Sequence, residues 1–236
     1  MIPALAPLTG GAYKLEELLG IGLPGVEPDD YEIFWRESHV ASVRTPLRDE
    51  RLEVPGTSEN HLFEKIFFNT AGGFRIGAWL AIPKKSAPRA VVVHSHGYGE
   101  LKDPSPDFSD AVQCWVSAPG IALSARDDLP ADPARHVLHG IASRETYLLR
   151  FCAAALWSAA TYLSRRFPSF GDHLYYHGVS FSAGVGAMML PWEPRFKKAV
   201  LELPTFGHHP LRFLAPSTGS AAAVQQYRED HREVDG

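Results

Sequence analysis

One run, Leu174-Tyr-Tyr-His-Gly-Val-Ser-Phe-Ser-Ala-Gly184, constrains the fold of this chain more than any other. The β-prone residues Leu174 to His177 lead into Gly178-Val-Ser180, and a run of small residues then opens into Val185 to Leu190. The spacing predicts strand, sharp turn and helix with a serine at the turn, which is the context a nucleophile elbow needs. Such an elbow strains its serine, so small neighbours are required where strand and helix nearly touch. Gly178 supplies one, while the position two residues after the serine is Ser182, so the pattern is G-x-S-x-S-A-G rather than G-x-S-x-G. An ordinary strand-to-helix turn, with Ser180 capping the helix, fits the same local pattern. The rest of the chain must decide between them.

Around this run the hydrophobic period alternates. Tyr13 to Leu19 reads as a short helix, and Asp29 or Asp30 can cap a second one that carries Tyr31, Phe34, Trp35 and Val40 on one face. Residues 1–60 read as a helical extension packed on a larger body, residues 61–236. From His61 the pattern becomes strand-like: Leu62 to Asn69, a turn at Gly72-Gly73, then Phe74 to Ile82 form a lead-in hairpin. Ala90-Val-Val-Val-His94 is a continuous apolar run of the kind found in central parallel strands, and Gly120 to Ala125 reads as another buried strand. Residues 127–143 read as a Pro- and Asp-rich loop, and Arg144 to Arg166 as the longest helix, its apolar belt broad enough to lie on a sheet. Lys198 to Leu203 is a further strand stopped by Pro204, and Ala221 to Glu233 a terminal helix. Strands alternating with helices imply an α/β fold with a mostly parallel sheet. Such sheets place their sites at the carboxyl ends of the strands, where His96-Gly97-Tyr98, Arg126, Ser180 and Glu202 fall.

Composition narrows the function classes. A net charge of −4 over 236 residues leaves no footprint for nucleic acid or an anionic membrane. Two cysteines, Cys114 and Cys152, are too few for a disulfide framework and suggest free thiols in a reducing compartment. The start of the chain lacks the pattern of a secretory leader, and its longest apolar stretch, Phe151 to Ala160, falls short of the ~20 residues that span a bilayer. The expectation is a soluble, cytoplasmic protein.

Several segments, in order, resemble carbohydrate esterase family seven, the acetyl xylan esterases and cephalosporin C deacetylases of the α/β-hydrolase fold. Asp30-Tyr-Glu-Ile-Phe-Trp35 resembles the family's N-terminal helix, and Ile76-Gly-Ala-Trp-Leu80 with Pro83-Lys84 its I-x-G-W-L-x-x-P-K strand. His96-Gly97-Tyr98 resembles the H-G-Y of its oxyanion loop, Gly140-Ile141 to Arg150 the opening of its long helix, and Glu193 to Pro204 the strand after the elbow. Three departures stand out. Phe181 replaces the glutamine after the nucleophile and Ser182 the next glycine. Arg126-Asp127-Asp128 stands where the family has R-G-Q-G. The family's catalytic acid and histidine lie beyond the segment resembling Thr205 to Gly236, so the chain reads as truncated, with the last strands missing.

The resemblance implies a serine carboxylic-ester hydrolase acting on a small acylated sugar through an acyl-Ser180 intermediate, without cofactor or metal, and self-associating as homo-oligomers. The backbone N–H groups of Tyr98 and Phe181 would form the oxyanion hole. Chain order allows Glu202 with His208 or His209 as surrogate acid and base, although the resemblance aligns them with non-catalytic positions. His94 and His96 read as histidines that hold a strand-end loop rather than as metal ligands, and Arg126 as a loop anchor. Two rivals remain: a degenerate hydrolase fold kept for binding or assembly, and a serine hydrolase of another specificity, such as a peptidase or dienelactone-type enzyme.

Overall fold

Most of the alternating periods become strands and helices where the sequence predicts them. The structure is a computed structural model that describes residues 14–25, 27–55, 58–98, 104–213 and 216–231. Helices α1 (Leu15–Leu19) and α2 (Tyr31–Arg44) precede strands β1 (Glu50–Val54), β2 (His61–Thr70), β3 (Phe74–Pro83), β4 (Ala90–Ser95) and β5 (Ala111–Val116). Then come α3 (Pro133–His136), α4 (Leu148–Arg166), β6 (Leu174–Val179), α5 (Phe181–Met189), β7 (Phe196–Glu202), α6 (His209–Arg212) and α7 (Gly219–Asp230). The described strands form one sheet in the order β1-β2-β3-β5-β4-β6-β7. β1, β2, β3 and β5 pair antiparallel, whereas β5, β4, β6 and β7 pair parallel. This mixed α/β sheet is the expected fold class.

Five expectations need correction. The strand expected at Gly120–Ala125 is instead Ala111–Val116, and Ala122–Ser124 form a 3-10 turn. Gly120 and Ala122 have φ of 83° and 49°, which strand geometry excludes. The turn closes on the hairpin, since Ser124 Oγ accepts from Gly77 N at 2.9 Å. The long helix begins at Leu148, because Tyr147 before it is extended. Asp30 precedes α2 without a side-chain cap bond, its carboxylate engaged instead by Arg144 at 2.8 Å. That bond holds the Asp30 carboxyl below its usual range. Val40 is exposed rather than part of the buried stripe of α2. The residues expected to loop over 127–143 include the short α3, capped by Asp132. Tyr13 and Glu233, the expected ends of two helices, lie outside the described residues.

Helix α4 is buried along almost its whole length. Its alanines (Ala153, Ala154, Ala155, Ala159 and Ala160) let the backbone approach the sheet closely. Trp157 at its centre is fully buried, meets Trp35 and His39 of α2 edge-on at 6.2 and 5.1 Å, and donates from Nε1 to Met189 O of α5 at 3.1 Å. Phe68 of β2 stacks on Tyr162 at 5.9 Å. Strands alternate sides, so Val91, Val93, Cys114, Leu174 and Tyr176 all face this helical layer.

The opposite side is different. Val92, His94, Trp115, Tyr175, His177 and Val200 share it by alternation and register, and Val200 is 56% exposed. A groove of about 550 Å³ runs between these strands, bounded also by Asp107, Phe108 and Glu202. Beyond it β7 is the last described strand, with Leu203 at its end 83% exposed.

Candidate active site

The chain leaves β4 towards β5 on one side, and leaves β6 towards β7 on the other. The direction of winding therefore reverses between β4 and β6, and the crevice at their carboxyl ends is where an open α/β sheet binds ligands. His96-Gly97-Tyr98 closes one wall of that crevice and Ser180 the other.

Ser180 joins β6 to α5 with φ 53° and ψ −111°. A side chain in such a conformation costs roughly 1–3 kcal/mol and persists only where surroundings over-determine it. They do here. Ser180 N donates to Glu202 O at 2.8 Å, and Ser180 O accepts from Gly184 N at 3.1 Å and Thr205 N at 3.2 Å. A Cβ on Gly178 would lie 2.8 Å from Ser182 O and 2.9 Å from Ala183 N, so only glycine lets strand and helix meet. The hydroxyl of Ser182 accepts from Val179 N at 2.9 Å and donates to Val179 O at 3.1 Å. It ties the turn from within, at a position where a glycine would have no group to offer. Ser180 does not cap the helix through its side chain. Ser180 is partly exposed, and its Oγ lies 3.2 Å from Thr205 Oγ1, its hydrogen-bond partner among the described residues. The plain capped turn is thus not what these residues build.

The loop after β4 is fastened by its own histidine. Burial lowers the basicity of His96, so the ring is neutral. Its Nδ1 donates to Gly97 O at 2.7 Å and its Nε2 accepts from Ala118 N at 3.0 Å. Tyr98 follows, its ring lying on that of Phe181 at 4.1 Å with 30° between planes. Phe181 is the first residue of α5, so its N–H has no acceptor within the helix. The two residues expected to supply oxyanion donors are therefore neighbours across the crevice. The Phe181 side chain is buried and packs the gap between loop and elbow.

Glu202, His208 and His209 have other occupations. Glu202 points to the open side of the sheet and accepts from His177 Nε2 at 2.9 Å, and His177 Nδ1 lies 3.3 Å from His94 Nδ1. Burial, then the neighbouring His177, lowers the pKa of His94 to about 4. His94 is therefore neutral. His177 donates from Nε2 to Glu202, and its Nδ1 shares one hydrogen bond with Nδ1 of His94. His208 Nδ1 accepts from Leu211 N at 3.2 Å at the start of α6. His209 stacks on Phe213 at 5.7 Å, and burial followed by the nearby Arg212 lowers its basicity. Arg126 pairs with Asp128 at 2.7 Å and lies over Phe74 at 5.0 Å. Among the described residues no group of three or more His, Cys, Asp or Glu is placed to hold a metal ion.

Sequence reasoning missed three residues of this region: Thr205, His177 and His136, the last bonded to Tyr98. Thr205 was the most accessible of them, as the first residue after the proline that ends the strand following the elbow. Nothing in the sequence links His94 to His177 or Tyr98 to His136, 83 and 38 residues apart.

The sheet order, the lead-in hairpin and the elbow define an α/β-hydrolase fold, and comparison with known proteins agrees. The acetyl xylan esterase (AXE1) family model matches residues 13–123, just under half of the chain, which bears out the expected resemblance. Ser180 lies outside the matched segment. The acetyl xylan esterase from Paenibacillus sp. R4 superposes with a TM-score of 0.80 at 17% identity, over 94% of this chain and 74% of that one. Acetyl xylan esterase 1 from Thermoanaerobacterium sp. JW/SL YS485 does so with a TM-score of 0.70 at 16% identity, over 88% and 69% respectively. No curated protein matches by sequence. Family match and shared fold together support a carboxylic ester hydrolase. Among the described residues no helix is long and apolar enough to cross a membrane.

Proposed function

We propose that this protein is a serine esterase that removes acetyl groups from small acetylated sugars through an acyl-Ser180 intermediate. The observation that carries the reading is the backbone of Ser180, with φ 53° and ψ −111° at the crevice where the sheet reverses. An ordinary turn has no use for that strain, whereas a nucleophile presented to substrate does. Ser180 Oγ would attack the ester carbonyl, and the oxygen that gains charge would be met by the N–H groups of Phe181 and Tyr98. Collapse of the tetrahedral species would expel the sugar hydroxyl, and water would then release acetate. Against Glu202 with His208 or His209 as acid and base stand their present partners, His177, Leu211 and Phe213. A cytoplasmic setting is supported by two free, buried thiols, and self-association by the exposed edge of β7.

The experiment is acetate release from acetylated xylo-oligosaccharides, run beside longer acyl esters and a peptide panel. Ser180→Ala should lower turnover at least about 10³-fold, as loss of an acyl-enzyme nucleophile does. Full activity in that variant rules the reading out, and a preference for longer acyl or peptide substrates would move it to another serine hydrolase. One observation favours a second reading, a hydrolase fold retained for binding: Ser180 Oγ has Thr205, not a histidine, as its partner among the described residues. Tight binding of acetylated oligosaccharide without turnover would support it.

A further inference from the structure

The Tyr98 hydroxyl has no part in ester hydrolysis as proposed, which draws only on the backbone N–H of that residue. Yet it sits on a fully buried histidine. Tyr98 Oη lies 2.9 Å from His136 Nδ1, and His136 Nε2 lies 2.8 Å from Pro119 O. A carbonyl only accepts, so Nε2 carries the proton. Burial lowers the basicity of His136, so the ring is neutral, Nδ1 is a bare acceptor, and Tyr98 donates to it. The imidazole thus uses both nitrogens in a single tautomer. It also stands edge-on to Tyr98 at 5.4 Å and to Phe181 at 5.7 Å. Two hydrogen bonds and three rings therefore join the loop after β4, the loop after β5, the end of α3 and the first residue of α5.

We propose that His136 is a positioning residue, which holds Tyr98 against Phe181 so that their two backbone donors converge on one point above Ser180. His136 touches no substrate. It acts through Tyr98, and the proposal rests on the ester-hydrolase reading above. Oxyanion donors act only when placed to within a fraction of an ångström, so a loosened loop slows the chemical step and leaves ground-state binding almost untouched.

The test compares the wild type with Tyr98→Phe, His136→Ala, His136→Asn and the Tyr98→Phe/His136→Ala pair, using 4-nitrophenyl acetate. Tyr98→Phe keeps the ring stack and the backbone and deletes only the hydrogen bond. It should lower kcat about ten- to a hundredfold with KM within threefold. His136→Ala should lose as much, the pair should lose no more than His136→Ala alone, and His136→Asn, which restores a side-chain acceptor, should recover part of the loss. Wild-type kcat in Tyr98→Phe overturns the proposal even if His136→Ala fails to fold. If the wild-type protein itself shows no turnover, the ester-hydrolase reading has failed separately. The tether is then decided by the ring ¹⁵N signals of His136: a protonated Nε2 with a hydrogen-bonded, bare Nδ1 that shifts in Tyr98→Phe supports it, and an unmoved or Nδ1-protonated ring overturns it.

Discussion

The two faces of the sheet obey different rules. One is sealed by α2, α4 and α5 and is mostly apolar, and its helices fix the elbow: α5 starts at Phe181, directly after Ser180, and α4 holds α5 through the bond from Trp157 to Met189. The other carries no described helix, and its polar line from His94 through His177 to Glu202 borders a groove. Both faces reach the same carboxyl ends. The backbone of Glu202 secures Ser180 while its side chain serves the open face. The strained turn at Ser180 is therefore a product of the covered face, and the open face can be altered with little effect on it.

Substitutions on each face sharpen that contrast. The largest effect is expected at Trp157, which is fully buried between α2, α4 and α5. Trp157→Ala should cost about 4 kcal/mol through lost burial and the cavity left behind, and denaturant unfolding measures it. Next is Glu193, buried where α2 meets the turn before β7. Burial alone would raise its pKa, but Arg195 and His39 bring it down to about 2 from an ordinary value of 4.5. A folded-state pKa below the unfolded one means that stabilisation is present above pH 4.5 and is lost as pH falls towards 2. Glu193→Gln should cost about 3 kcal/mol at neutral pH, and the gap to wild type should close over that window in unfolding curves taken from pH 6 to pH 2. The smallest effect belongs to the open face. His177→Ala breaks a pair whose members are partly solvated, so it should cost under about 1 kcal/mol and leave acetate release unchanged. A large loss of activity there would break the separation of the two faces.

Much of this contrast could be read from residues alone, because periodicity reports burial. The runs 62–69, 74–82, 90–94 and 174–177 became β2, β3, β4 and β6, and the belt of α4 announced a helix lying on a sheet. Periodicity failed where burial and backbone part company. Gly120 to Ala125 is apolar but holds positive φ at two residues, so it turns, whereas Ala111 to Val116 contains the fully buried Gln113 and is nevertheless a strand. β1 escaped notice because an edge strand with Glu50, Arg51 and Glu53 looks like a solvated loop. The elbow was legible because close packing limits its residue types. The partners of Tyr98, His94 and Ser180 were not, since each comes from a distant segment and a hydrogen bond leaves no period in the sequence.

The most direct measurement is covalent labelling of the wild-type chain with a fluorophosphonate, followed by peptide mapping. If the strained turn presents a nucleophile, the label resides on Ser180, and Ser180→Ala abolishes it while thermal stability stays near wild type. A wild-type chain that takes no label, or one labelled at another serine, would contradict the claim that this elbow is built for catalysis.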